Sequence, residues 1–227
     1  MARTLNATTH AVRRDEILDA AERQIRTIGY DAMSVQALQD ELGVSRGAIY
    51  HYFRSKEAIL AAVIDRMTRA GMARLEPIAH DPDLPAVDKL QALFTVGSQW
   101  KAQRSDLLLG LLRSWYAPAN DLVRARTQAA SFAMFVPLLA GIFRQGVDEG
   151  TMNPASPANA ASLIAGLFTG SADVIFDLLD ARLAGRIPFE EVQDFMHAYE
   201  EAIERILGLP AGSFTLIDDA SLHTWFA

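Results

Sequence analysis

The chain has 227 residues, half of them hydrophobic, no cysteine and a formal net charge of −7; that suits one large or two smaller soluble domains and excludes disulfides, thiolate metal sites and cysteine nucleophiles. The charge is uneven, with 11 Lys/Arg against 9 Asp/Glu in residues 1–75 and 10 against 19 in residues 76–227, so the acidic total leaves room for a nucleic-acid face near the start. The polar opening Met1-Ala-Arg-Thr-Leu-Asn lacks the apolar stretch of a signal peptide, and the apolar window Ala160 to Leu179 is interrupted by Asp173 and Asp177, where a membrane span needs ~20 mostly apolar residues. No membrane partner and a cytoplasmic address are expected.

Helical periodicity runs almost throughout, and no alternating run is long enough for a sheet. A first helix is predicted over about Arg13 to Thr27, with Ile17, Leu18, Ala21, Ile25 and Ile28 on one face and Gly29 ending it. Ser34 offers a cap to a short helix whose apolar positions are Val35, Leu38 and Leu42. Gly43 breaks that helix, and Ser45 caps the next, from Arg46 to about Phe53. Ser55 caps a longer one reaching about Leu75, with Ile59, Leu60, Val63, Ile64 and Met67 inward. Residues 77–85 carry three prolines and read as a connector. Further helices are expected at about 86–104, 105–117, 119–149, 157–184 and 188–207, punctuated by Pro118, Gly150 with Pro154, and Gly185 with Pro188. The segment from Leu209 to Ala227 shows no clear period.

The stretch Ser34 to Phe53, SVQALQDELGVSRGAIYHYF, has the parts of a helix-turn-helix: two short helices, a glycine in the turn, and a small exposed face on the second helix. Val44, Ile49 and Phe53 are expected in the core, fixing that helix. Arg46, Gly47, Tyr50 and His51 then face outward on its N-terminal half, where a helix entering the major groove meets base edges and phosphates. Ser45 caps it, which leaves free backbone N–H groups near DNA phosphate.

Ile17-Leu-Asp-Ala-Ala, Ile28-Gly-Tyr, Gly43-Val-Ser-Arg-Gly-Ala-Ile-Tyr-His-Tyr-Phe and Ser55-Lys-Glu-Ala-Ile-Leu together resemble the DNA-binding region of the TetR family, over about residues 12–65. The resemblance implies phosphate contacts from Ser34, Tyr50, His51 and Lys56 and a base contact within reach of Arg46. Where that family commonly has a small residue four positions before the turn glycine, this chain has Gln39. The implied fold is all-α: an N-terminal DNA-binding domain over residues 1–57, with the helix-turn-helix at 34–53, and a C-terminal effector-binding and dimerisation domain over 58–227. The implied partners are a palindromic double-stranded DNA operator, a second copy of the chain and a small-molecule effector. The implied function is a repressor released by that effector.

The remainder of the chain offers candidates for both roles. Trp100, Trp115, Tyr116, Phe132, Phe135 and Phe143 concentrate aromatic side chains in the middle helices and could line a pocket for an apolar or aromatic effector, although core is the plainer reading for any one of them. Pro137 inside a long helix should kink it. Ala161, Ala165, Gly166 and Phe168, with Phe195 and Tyr199 of the last long helix, suit a four-helix dimer interface. Asp173, Asp177 and Asp180 form an acidic stripe that reads as a solvated face, as do Asp194, His197 and Glu201, whose spacing permits a metal only on paper. No cofactor and no metal are expected. An adaptor that binds DNA without an effector is the nearest rival; a helical enzyme is a weaker one, since no Ser-His-Asp arrangement or phosphate-cradling glycine loop is present.

Overall fold

The computed structural model describes residues 2–117 and 120–226, and the side chains of all of these except 2–9, 113 and 172. Among the described residues there is no strand. Within the described residues eleven helices follow one another: α1 (Ala2–Ala32), α2 (Val35–Leu42), α3 (Arg46–Tyr52), α4 (Lys56–Ala79), α5 (Ala86–Ala102), α6 (Ser105–Trp115), α7 (Asp121–Asp148), α8 (Pro157–Gly170), α9 (Ala172–Leu183), α10 (Phe189–Leu207) and α11 (Asp219–Phe226). Pro118 lies outside the described residues. The sequence reading divides the chain at residue 57; packing groups it differently, into Met1–Thr68 with Asp106–Thr127, and Arg69–Ser105 with Gln128–Ala227.

The first unit closes around the apolar stripes expected of its helices. Ile17, Leu18, Ala21 and Ile25 of α1 meet Leu38 of α2, Ile49 of α3, Phe53 just beyond it, and Ile59, Leu60 and Val63 of α4, all buried. Each such side chain contributes about 1.5–3 kcal/mol by leaving water. Ile28 does not join them and is 54% exposed, although Tyr30, beyond it in α1, is buried in the same core. Gly29 holds φ 77, a left-handed conformation that turns the chain before α1 resumes. From much further along, α6 adds Leu107 and Leu111 to the same core. The approach is close at Gly110, where a Cβ would be driven onto the Ile25 carbonyl oxygen. Polar links reinforce it: Arg26 pairs with Asp106 at 3.2 Å, and the Ser114 hydroxyl donates to Asp31 at 2.6 Å.

The second unit packs Leu90 and Leu93 of α5, Leu139, Ile142 and Phe143 of α7, Ala161 and Ile164 of α8, and Ile203 and Leu207 of α10. Its corner is polar: buried Lys89 donates to Gln145 at 2.6 Å, and Gln145 in turn donates to Glu149 and to the Leu84 carbonyl. The Glu149 carboxyl, receiving the Ala86 N–H as well, is held below the usual carboxylate range by that bond and by Gln145. The segment after α10 is fastened rather than loose. Buried Glu204 accepts the N–H groups of Gly212 and Phe214, Glu200 accepts that of Leu216, and Gln91 and Thr215 exchange two hydrogen bonds. The tail then ends in α11, an element the sequence pattern did not signal, which packs on α5 and α9.

Two more boundaries differ from expectation. The helix predicted over 157–184 is two, α8 and α9, interrupted at Ser171 (φ −87, ψ −5). α4 continues through Pro77 to Ala79 instead of ending at about Leu75. α7 carries Pro137 inside it, as expected. By length and composition α7 and the stretch 157–183 could each cross a membrane, but Leu138, Leu139, Ile142 and Phe143 of the one, and Ala161 and Ile164 of the other, are spent on the second unit's core.

Candidate nucleic-acid interface

The arrangement of α2 and α3 follows from three local devices. Ser34, in extended conformation, caps α2 by accepting the Ala37 N–H at 3.0 Å. Gly43 ends α2 at φ 64, ψ 33, the left-handed region where a Cβ would be strained. Ser45 caps α3 by accepting the Ala48 N–H at 3.3 Å; replacing such a cap by Ala costs about 0.5–2 kcal/mol. Gln39 is buried where a small residue was the norm, and its carbonyl accepts the N–H groups of both Gly43 and Val44 through the turn. Ile49 and Phe53 then anchor α3 in the core at 0% and 4% exposure.

That anchoring leaves the predicted reading face in solvent. Arg46, Gly47, Tyr50 and His51 are all exposed. Arg46 folds along the helix so that its guanidinium carbon lies 5.4 Å over the Tyr50 ring. At Gly47 the nearest heavy atom that a Cβ would meet is the Ser45 hydroxyl oxygen, 4.0 Å away, so nothing within the chain requires glycine there. Lys56, expected on phosphate, is engaged internally: its ammonium donates to the Asp31 carbonyl at 3.0 Å and lies 4.5 Å over the Tyr30 ring. Burial, with Glu57 and Asp31 nearby, pushes the Tyr30 phenol well above its usual range. Lys56 therefore joins the end of α1 to the start of α4, whatever else its remaining donors reach.

Sorting the cations of the first unit by partner locates its free positive charge. Arg13 pairs with Glu16, Arg23 with Glu41, Arg26 with Asp106, Arg66 with Asp19 and Glu22, and Arg124 with Asp121. Arg14, Arg46, Arg54 and the exposed Arg126 of α7 have no carboxylate partner among the described residues; the first three lie on or beside α3, with Arg14 over the Phe53 ring at 5.3 Å and Arg54 directly after Phe53 in the chain. Exposed Arg54, and Arg14 with His10 beside it, were missed in the sequence. Neither charge counts nor helix periodicity tells a paired arginine from an unpaired one.

The residues expected to line an effector pocket do not form one group. Trp115 and Tyr116 belong to the first unit, where Trp115 packs at the edge of the core and Arg124 lies 5.3 Å over Tyr116. The other four belong to the second. There Phe143 is fully buried core, a correction explained by its place on the inward stripe of α7 with Leu139. Phe132 is half-buried. Trp100 is 8% exposed, stacked beneath Arg104 at 4.5 Å and against Gly71, with an indole N–H that has no partner among the described residues. Phe135 meets Phe94 and Phe168, both at 6.4 Å; Phe94 also meets Phe168 at 5.2 Å and Phe214 of the tail at 5.1 Å.

Of the residues expected at a dimer interface, Ala161 and Ala165 are instead buried in the second unit. On α8 Ala161 and Ala165 face inward with Ile164, while Leu163, Gly166 and Leu167 are left exposed. Phe168 belongs to the aromatic cluster, 5.4 Å from Tyr199. Gly166 is exposed, and with Leu163, Leu167, Val174, Phe195 and Tyr199 it lines an open groove of about 630 Å³. Leu163 is 61% exposed and Val174 43%, apolar area that no described residue covers. Burial pushes the Tyr199 phenol up, while its oxygen accepts the Ser171 hydroxyl at 3.0 Å. Asp173, Asp177 and Asp180 are exposed, and Asp180 pairs with Arg186; exposed Glu201 pairs with Arg205.

The comparisons with known proteins agree with this geometry. The family described as "Bacterial regulatory proteins, tetR family" matches residues 17–63, which run from the first core residue of α1 into α4. An HTH-type transcriptional repressor of Mycobacterium tuberculosis is 32% identical over 123 residues, covering 52% of this chain and 64% of that protein. The repressor AcnR of Corynebacterium diphtheriae is 31% identical over 100 residues, 44% of this chain and 50% of its own. The match thus spans between half and two thirds of the length of these curated relatives. Among solved structures, the complex of SmeT with triclosan matches with TM-score 0.58 and 24% identity, over 89% of this chain and 94% of that one. Reduced NemR of E. coli matches with TM-score 0.56 and 21% identity, over 87% and 99%. These two likenesses speak for the fold alone. The family match lies over the capped helices and the turn that build the exposed face of α3, so it is this DNA-binding portion of the chain that is similar to the tetR family of bacterial regulatory proteins.

Proposed function

We propose that the chain is a cytoplasmic transcription regulator that acts as a homodimeric repressor on a palindromic double-stranded DNA operator. The observation that carries the reading is α3: a helix held from below by Ile49 and Phe53, whose upper face of Arg46, Gly47, Tyr50 and His51 is exposed and without a carboxylate partner among the described residues. A helix so mounted suits a major groove, with Arg46 presenting a planar fork to a base edge or phosphate and the caps Ser34 and Ser45 bringing backbone N–H groups toward phosphates. A second copy of the chain would cover the exposed Leu163, Leu167 and Val174, and two-fold pairing is what a palindrome requires. Selection from a randomised duplex library tests this. Recovery of a palindrome with half-sites about 34–36 Å apart, bound by a dimer, is the expected result. A motif without two-fold symmetry, bound by a monomer, would overturn it.

Release of the operator by a small apolar or aromatic molecule extends the same reading. Such a molecule would act by population shift, stabilising a conformer whose two recognition helices no longer match successive grooves. The unpartnered indole N–H of Trp100 supports this. The mutual packing of Phe94, Phe135, Phe168 and Phe214 favours the alternative, a regulator with no effector. Screening aromatic compounds for joint tryptophan quenching and loss of duplex binding separates the two.

A further inference from the structure

Two residues of α1, both before the stretch 17–63 that the family model matches, stand beside the end of α3. His10 places its ring 4.5 Å from Tyr52 and 5.8 Å from His51. Arg14, one turn further along the same face of α1, holds its guanidinium carbon 5.3 Å over the Phe53 ring. His10 is exposed and Arg14 half-buried, and neither has a carboxylate partner among the described residues. Their neighbour Arg13 is different, being paired with Glu16. Phe53 is itself buried in the core at 4% exposure, so the Arg14 guanidinium lies over a ring held in place by its packing. Exposed Arg54 continues the same patch.

We propose that His10 and Arg14 form a second phosphate-binding element, which grips the DNA backbone flanking the groove that α3 enters. The inference rests on the reading of α3 as the recognition helix, and adds to it a contact from a different element. Charge complementarity names the occupant: an uncompensated cationic face continuous with a DNA-reading helix meets the phosphates of the strand bordering the groove. A guanidinium pre-positioned by a ring loses little freedom on binding and offers two parallel donors to a phosphate. Such contacts set affinity and register and read no bases. The His10–Arg14 face therefore acts alike on every sequence, unlike Arg46.

The test uses the full chain and two fluorescent duplexes, one enriched from a randomised library by the unmodified protein and one of random sequence. Affinities of Arg14→Gln, His10→Ala, Arg14→Lys and Arg46→Ala are measured across a series of salt concentrations, with thermal midpoints alongside. Arg14→Gln should weaken both duplexes by a similar factor and lower the slope of log affinity against log salt by about 0.9 for each phosphate that is no longer neutralised. Arg14→Lys, which keeps the charge, should restore most of that slope. His10→Ala, an exposed change, should weaken both duplexes without moving the thermal midpoint. The clamp is overturned if Arg14→Gln and His10→Ala keep full affinity and slope on both duplexes while Arg46→Ala loses the enriched one; recognition by α3 would then stand alone. If the unmodified protein binds neither duplex, the DNA-binding reading falls, and the clamp with it.

Discussion

Replacing Gly47 by alanine sets protein stability against DNA affinity at one atom. Gly47 is the second residue of α3 and exposed, and a Cβ built there meets nothing closer than the Ser45 hydroxyl oxygen at 4.0 Å, an ordinary van der Waals distance. Glycine inside a helix costs roughly 0.5–1 kcal/mol relative to alanine, because the unfolded chain has more freedom to lose. Gly47→Ala should therefore stabilise the free protein by about that amount, a rise of roughly 1–4 °C in midpoint for a chain of this size. If the glycine is there because DNA passes close to the backbone of α3, the added methyl meets the duplex instead. One methyl forced into a close-packed contact costs about 1–3 kcal/mol, or roughly 5- to 150-fold in Kd. Differential scanning calorimetry of the free protein and anisotropy titration with the enriched duplex read the two effects separately. A variant that is both more stable and equally tight in binding would refute the close approach of DNA to α3 at this position.

Other substitutions probe the remaining parts of the account. Arg46→Ala should cost about 1–3 kcal/mol on the preferred duplex and relax preference at one base position per half-site, read by binding to a library of single-base variants; intact preference with only a shallower salt slope would make Arg46 a phosphate contact. Lys56→Ala should lower the thermal midpoint as well as affinity, because its ammonium holds the Asp31 carbonyl and the Tyr30 ring; a loss of affinity with no thermal change would show that the internal contacts are idle. Gly110→Ala should destabilise the first unit by about 1–3 kcal/mol, since its Cβ has no room against the Ile25 carbonyl, and urea melts that match the unmodified protein would show that α6 yields freely there. Leu163→Glu, at a 61% exposed position, should leave the monomer folded and dissociate the dimer in sedimentation velocity; an unchanged dimer would place the interface elsewhere.

The parts of this protein that were legible in its sequence are those governed by neighbours a few residues apart. Ser34, Gly43 and Ser45 act on backbone groups within five positions, so the caps and the turn could be read directly, and the inward stripe of Ile49 and Phe53 placed Arg46 and Tyr50 outside by elimination. What escaped depends on contacts distant in sequence. Lys56 reaches back 25 residues to Asp31, and Arg66 reaches Glu22 across 44, so which cations are free could not be counted in advance. The helix α11 is short and capped through Asp218, whose carboxylate accepts the Ser221 N–H and hydroxyl. Its packing on α5 and α9 stabilises it more than its period does. On α8 the periodicity is genuine, but it has two apolar faces, and only the core of the second unit decides that Ala161 and Ala165 turn inward while Leu163 and Leu167 are left outside.

The central claim is that the exposed face of α3 reads DNA sequence, and the ratio of two affinities tests it most directly. The full chain is titrated at physiological salt against a duplex enriched from a randomised library and against the same duplex with its bases scrambled. The account predicts a ratio of at least about 10³ for the unmodified protein, falling when Arg46 or Tyr50 is replaced by alanine. A ratio near one, or a large ratio that survives both replacements, would contradict it.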